Sequence, residues 1–261
     1  MSEASVHRLP VTMRTVFQDL LLVTYEVAPQ RLAELLPPVI HPYVRDGRSY
    51  VSIVVGNLRG MRPAPLPEFL GVNYYQIVYR AVVRLRRADG TELPGVFFLR
   101  WDGNDPLMSL FGNRLSEFRF HFFHTGALSL YRRRDELLDA AETSDGAGDL
   151  VLHARDLGPA EARPCAPGFL DVDDEKRTLV QLFHAYAYDA PRGCVYDLAI
   201  ERGEWQVRRL ELLDHFSAFF GERSFDHSTA KPVAAVHIEE CAYVWKPMVA
   251  IDERNLVPRE Q

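Results

Sequence analysis

Lysine is almost missing from this chain. Only Lys176, Lys231 and Lys246 occur among 30 basic residues, and the rest are arginine. Chemistry that needs a side-chain amine therefore has three places to reside. Cysteine is as sparse, with Cys165, Cys194 and Cys241. An odd, small set without a C-x-x-C spacing gives neither a disulfide framework nor a thiolate metal or redox motif. The three read as reduced thiols of a cytoplasmic protein. No run of about eighteen uncharged apolar residues exists, so no membrane span is expected. The opening MSEASVHRLPVTMR lacks the apolar core of a secretory signal. Positive charge is not in excess either: the net charge is -6 and the pI about 5.9, which leaves no global basic field for nucleic acid.

Several catalytic signatures are also missing. There is no HExxH helix, no G-x-S-x-G elbow and no Walker or dinucleotide loop, and Gly56-Asn57-Leu58-Arg59-Gly60 is too sparse to count as one. His121 and His124 are three apart, so on a strand they face opposite ways and cannot share an ion. No metal and no cofactor are expected.

What is present is a soluble-type composition, 47% hydrophobic and 25% charged, over 261 residues, enough to bury a substantial core. Strand signals dominate. Val16 to Val27, Ser49 to Leu58, Asn73 to Leu85, Val96 to Trp101, Gly126 to Arg134, Asp149 to Asp156, Cys194 to Ile200, Glu204 to Leu212 and Val233 to Trp245 read as strands. Tyr43 to Arg45 and the turn at Asp46-Gly47 suggest a hairpin with the second of these. Residues 60–70, with three prolines, read as a loop. In Asn73 to Leu85, Tyr75, Ile77, Tyr79, Ala81 and Val83 share one face; Tyr74, Gln76, Val78, Arg80 and Val82 share the other. Short helices are expected at Gln30 to Leu36, Pro106 to Leu115, Asp171 to His184 and Leu213 to Phe220. The class that follows is α+β, mostly antiparallel. Residues 1–14 read as an arm, 15–248 as one domain and 249–261 as a tail.

The segment PGVFFLRWDGNDPLMSLFGNRLSEFRFHFF, residues 94–123, carries most of the chemistry. A strand leads through the turn Asp102-Gly103-Asn104-Asp105 into a helix opened by Pro106, with Asp105 as its cap. A further strand, Phe118 to Phe123, follows. Arg114, Glu117, Arg119 and His121 thus fall among Phe and Leu, where unpaired polar groups are costly. Side chains 117, 119 and 121 share a face if the strand starts at Glu117, with Arg114 one helical turn earlier. They either pair with one another or serve a ligand.

Gly112-Asn113-Arg114-Leu115-Ser116-Glu117-Phe118-Arg119-Phe120-His121 resembles the active-site segment of acetoacetate decarboxylases. Phe17-Gln18-Asp19, Val27-Ala28-Pro29, Leu36-Pro37, Asp46 to Ser52 and Gly95 to Leu99 resemble the YqjF-like family, uncharacterised bacterial proteins related to those decarboxylases. The resemblance spans about Thr15 to Met248. It implies a cone-like double-layered β architecture around a cavity, and it makes self-association plausible. The decarboxylases use two adjacent lysines, the first forming a Schiff base. Here those positions hold Phe120 and His121, and an acidic position of that family falls near Asn73, so the lysine mechanism cannot operate at this site.

The expected function is binding of a small anionic, carboxylate-type molecule, or an unknown reaction on it, without the Schiff-base lysine. Arg114 or Arg119 would grip the carboxylate, with Glu117, His121, Asn73 and Gln76 completing the pocket. The alternative is a non-catalytic structural or interaction protein that keeps the fold.

Overall fold

The computed structural model describes residues 10–115, 118, 120–124, 128–163, 165–203, 205–222, 225 and 230–259. In chain order the elements are β1 (Met13–Val27), α1 (Pro29–Glu34), β2 (Ile40–Pro42), β3 (Ser49–Pro63), β4 (Val72–Arg86), β5 (Glu92–Gly103), α2 (Pro106–Leu115), β6 (Phe120–Phe122), β7 (Leu128–Arg133), β8 (Glu136–Ala141), β9 (Leu150–Pro159) and α3 (Val172–Glu175). A π-helical turn (Lys176–Val180) continues α3. Then come β10 (His184–Asp189), β11 (Cys194–Arg202), β12 (Arg208–Ser217), α4 (Ala218–Glu222), β13 (Lys231–Trp245) and β14 (Val249–Asp252).

The fold is α+β with a mostly antiparallel sheet that closes on itself. Strands β13, β1, β3, β4, β5, β10 and β11 follow one another, and β11 returns to β13 through Ile200–Trp245, Glu201–Val244 and Arg202–Tyr243. Within this ring only β5 and β10 run parallel, at Val96–Ala185 and Phe97–Tyr186. Closure removes the exposed edges that an open sheet would leave. Strands β12, β9, β8 and β7 extend from β13 as an outer layer.

Period-two alternation then divides each ring strand between two cores. Leu20 and Leu22 of β1, Val54 of β3, Val78 and Val82 of β4 and Ile238 of β13 fill the inside of the barrel. Leu21 and Val23, Ile53 and Val55, and Ile77 and Tyr79 face outward, where Leu137, Leu152, Leu210, Phe219 and Phe220 cover them. Burial on both faces explains why Val51 to Val55 is apolar at nearly every position. Two bulges re-aim side chains. In β5, Tyr79 pairs Arg100 while Arg80 pairs Phe98, so Leu99 is the extra residue. In β1, Asp19 takes φ 50° where the register to β3 slips.

Several expectations change. Arg45 and Arg48 form only an isolated bridge around Asp46 and Gly47, because β2 pairs with β4 instead of β3. Strand β3 runs on to Pro63 through the expected loop. Leu213 to Ser217 is strand, held by β9, and only Ala218–Glu222 is helical. The helix expected from Asp171 to His184 ends at Val180. Strand β1 starts at Met13, three residues before the expected Val16. The tail is docked: Val249–Asp252 pairs with β11, and the Arg259 guanidinium donates to the carbonyls of Ala33 and Leu36 at 2.5 and 2.8 Å.

Candidate functional site

Residues at alternate positions of β4 share the inward face, so Gln76, Val78 and Arg80 look into the barrel. From the other ring strands come Phe17, Val54, Phe98, Leu198, Arg202, Tyr243 and Trp245, and the β5 bulge turns Trp101 inward as well. Together they enclose a cavity of about 50 Å³. That is room for about one or two waters, or for a carboxylate group. Tyr243 packs at a tilt against Phe17 at 4.6 Å, and Trp101 meets Trp245 edge-on at 5.8 Å, which fixes the walls.

The polar groups in this apolar chamber are mostly donors. Arg80 is 7% exposed, and Arg202 is half-buried beside it. Among the described residues neither has a carboxylate partner. Backbone carbonyls hold them instead: Arg80 Nη2 donates to Leu179 at 2.9 Å, Arg202 Nη1 to Val180 at 2.9 Å and Arg202 Nη2 to Leu182. Those carbonyls are free because the π-helical turn ends there; Gln181 leaves helical geometry at ψ 53°. Helix ends carry partial negative charge, so one face of each guanidinium is satisfied without neutralising it. Arg202 also lies over Tyr243 at 4.9 Å and Trp205 at 5.1 Å.

What remains unsatisfied lies on the cavity residues. Arg80 Nε, Arg202 Nε, Trp101 Nε1 and Gln76 Oε1 are buried without a hydrogen-bond partner among the described residues. Burial, then the charge of Arg202, pushes the Arg80 pKa down to about 10, which still leaves it charged at neutral pH. Burial also raises Tyr243 and pushes the Cys241 thiol up to about 11, so neither supplies a neutralising negative charge. Two cations and an indole N–H, with no carboxylate beside them among the described residues, have the chemistry to pair with an anion.

The residues singled out from the sequence distribute unevenly. Gln76, 3% exposed, lines the cavity. Asn73 is exposed, and its Oδ1 accepts the Gly60 N–H at 2.7 Å. Arg114 is exposed at the end of α2. His121 is exposed on β6, because the parity of that three-residue strand turns Phe120 inward instead. Glu117 and Arg119 lie outside the described residues. The motif glycine and asparagine serve the backbone: Asn113 accepts the Phe120 N–H at 2.7 Å and donates to its carbonyl at 2.9 Å. A Cβ on Gly112 would meet the Phe120 ring at 2.5 Å. The residues missed were Arg80, Arg202 and Trp101. For Arg80 the available signal was its place inside the apolar run Ile77 to Val83 of β4.

None of the three lysines lines the cavity. Lys176 pairs with Glu161, and Lys246 with Glu201 at 2.9 Å. Among the described residues no group of three or more His, Cys, Asp or Glu is placed to hold a metal, and no helix is long and apolar enough to cross a membrane.

A closed β cone with a charged, aromatic-walled interior is the acetoacetate decarboxylase-like fold. The acetoacetate decarboxylase of Legionella pneumophila superposes with a TM-score of 0.63 at 13% identity, covering 96% of this chain and 92% of that one. An acetoacetate decarboxylase-like enzyme from Sphingomonas wittichii RW1 gives 0.61 at 13% identity, covering 93% and 94%. The enduracididine biosynthesis enzyme MppR complexed with pyruvate gives 0.58 at 10% identity, covering 97% and 94%. At such identities the likeness is one of fold. No curated protein sequence matches. Residues 14–240 match the family DUF2071, "Uncharacterized conserved protein (COG2071)", and the chain belongs to that family.

Proposed function

We propose that this chain binds a small carboxylate inside its barrel, between Arg80 and Arg202, and that any reaction there proceeds without a lysine Schiff base. The observation that supports this is the pair of guanidiniums without a carboxylate partner among the described residues. Leaving a buried cation unpaired costs stability. A fold that keeps one buried and one half-buried guanidinium beside unpartnered Arg80 Nε, Arg202 Nε and Trp101 Nε1 is adapted to an incoming anion. A planar carboxylate matches the guanidinium fork. The cavity volume of about 50 Å³ suits the carboxylate group itself. A structural relative that holds pyruvate is consistent with this class of ligand. Calorimetric titration with acetate, pyruvate and acetoacetate tests the reading. Binding of at least one, weakened tenfold or more by Arg80→Met, is expected; no binding by any of them contradicts it.

A second reading, a structural or interaction protein, is favoured by one observation. Phe118 and Phe120 pack on Trp101 with centroids at 5.8 and 4.2 Å, where the resemblance places the lysine. The same titration separates the two readings.

A further inference from the structure

The donors of the inner cavity share it with an acceptor that is also unpaired. Gln76 is 3% exposed and lines the cavity, and its Oε1 has no hydrogen-bond partner among the described residues. Of the described side chains around the cavity, it alone keeps a buried oxygen in that state. Such a group is costly to leave without a donor.

The strands beside it explain why no neighbour supplies one. Directly opposite residues on adjacent strands share a face. Gln76 pairs with Gly56 of β3 on one side and with Gly103 of β5 on the other, and neither has a side chain to offer. A Cβ on Gly56 would lie 3.1 Å from Leu20 Cα, too tight for a larger residue unless β1 moves. Val78, the next inward residue of β4, is apolar, as are Phe17, Leu20, Val54 and Val96 across the chamber.

The other unpartnered groups of the chamber are donors: Arg80 Nε, Arg202 Nε and Trp101 Nε1. A ligand that satisfies the whole set brings acceptors to these N–H groups and a donor to Gln76. A carboxylate alone brings only acceptors, and a keto group adds another. A hydroxyl supplies the missing donor, and its own lone pairs conflict with none of the N–H groups.

We propose that the inner cavity selects a hydroxylated carboxylate, its carboxylate between Arg80 and Arg202 and its hydroxyl, on or next to the carboxyl carbon, donating to Gln76 Oε1. This rests on the inner carboxylate site and adds the class of molecule that the site prefers, with Gln76 as the specificity-determining residue. The volume of about 50 Å³ favours compact members of the class, bicarbonate and glycolate.

The test is calorimetric titration of the full chain with three matched pairs: bicarbonate and formate, glycolate and acetate, lactate and pyruvate. It is run at about pH 8, where each is an anion. Only the first member of each pair offers an O–H. It should bind roughly tenfold or more tightly than the second, the effect of leaving a buried polar group unpaired. Gln76→Met, similar in length and without the acceptor, should collapse the difference within each pair; Arg80→Met should weaken every acid. A preference in the bicarbonate pair alone assigns the site to bicarbonate, and one in the other two pairs assigns it to 2-hydroxy acids. Equal affinities within all pairs, tighter binding of pyruvate than lactate, or a preference that survives Gln76→Met overturns the role of Gln76 while the carboxylate site stands. The wild-type series decides where a variant fails to fold. If no acid binds, both readings fall.

Discussion

Arg80 Nη2 lies 2.9 Å from the carbonyl oxygen of Leu179, ninety-nine residues further along the chain. A cation in the middle of a barrel strand is thus held by the end of a helix and not by a carboxylate. Where α3 and its π-helical turn sit decides where the two guanidiniums point.

That placement depends on a buried ion pair. Glu175 accepts from Arg209 at 2.6 and 2.8 Å and from the Ala166 N–H at 2.7 Å. Arg209→Ala leaves Glu175, 2% exposed, as an uncompensated buried charge. The expected loss is about 3–5 kcal/mol in urea unfolding. Carboxylate binding should weaken with it, because Leu179 and Val180 are reached from Glu175 within two helical turns.

Gly112→Ala should destabilise by about 1–3 kcal/mol. The new Cβ meets the Phe120 ring at 2.5 Å, and that ring has little room to retreat because Trp101 packs against it with centroids at 4.2 Å. Thermal unfolding checks this; an unchanged midpoint would show that α2 and β6 can part without cost.

The fold was largely legible in the sequence, the site much less so. The alternation of Tyr75-Ile77-Tyr79 against Gln76-Val78-Arg80 gives both faces of β4 correctly, because a strand buried on two sides still alternates. Pro106 and Asp105 mark α2, and Asp105 Oδ1 does accept the Met108 N–H at 2.7 Å. Which face of β4 looks into a cavity depends on closure between β11 and β13, and local pattern carries nothing of that pairing. Arg80, Trp101 and Arg202 are brought together by it. Leu213 to Ser217 misled because its apolar spacing fits a helix turn, whereas pairing with β9 overrides propensity. His121 misled because β6 is a three-residue strand whose parity Phe120 sets.

His184 gives a pH signature apart from the barrel site. Its Nδ1 lies 2.9 Å from Asp197 Oδ1, and that hydrogen bond raises its pKa against the opposing effect of burial. A raised folded-state pKa means the contribution is full below the unfolded value, about 6.5, and fades as pH rises through the folded one. Asp197→Asn should therefore lower the melting temperature more at pH 5.5 than at pH 8.5. Equal losses at both would show that the pair does not titrate with folding.

No lysine lines the cavity, so borohydride reduction in the presence of pyruvate or acetoacetate should trap no adduct on Lys176, Lys231 or Lys246. Intact-mass measurement reads the outcome. A mass increase located on one of them would restore imine chemistry.

The most direct measurement is Arg80→Met, followed for stability and carboxylate binding in the same preparation. Replacing an unpaired buried cation with an apolar side chain of similar length should leave unfolding free energy within about 1 kcal/mol of wild type. Acetate or pyruvate affinity should fall tenfold or more, the value of a charge-assisted contact. A variant that binds as well as wild type would contradict the account, whatever its stability.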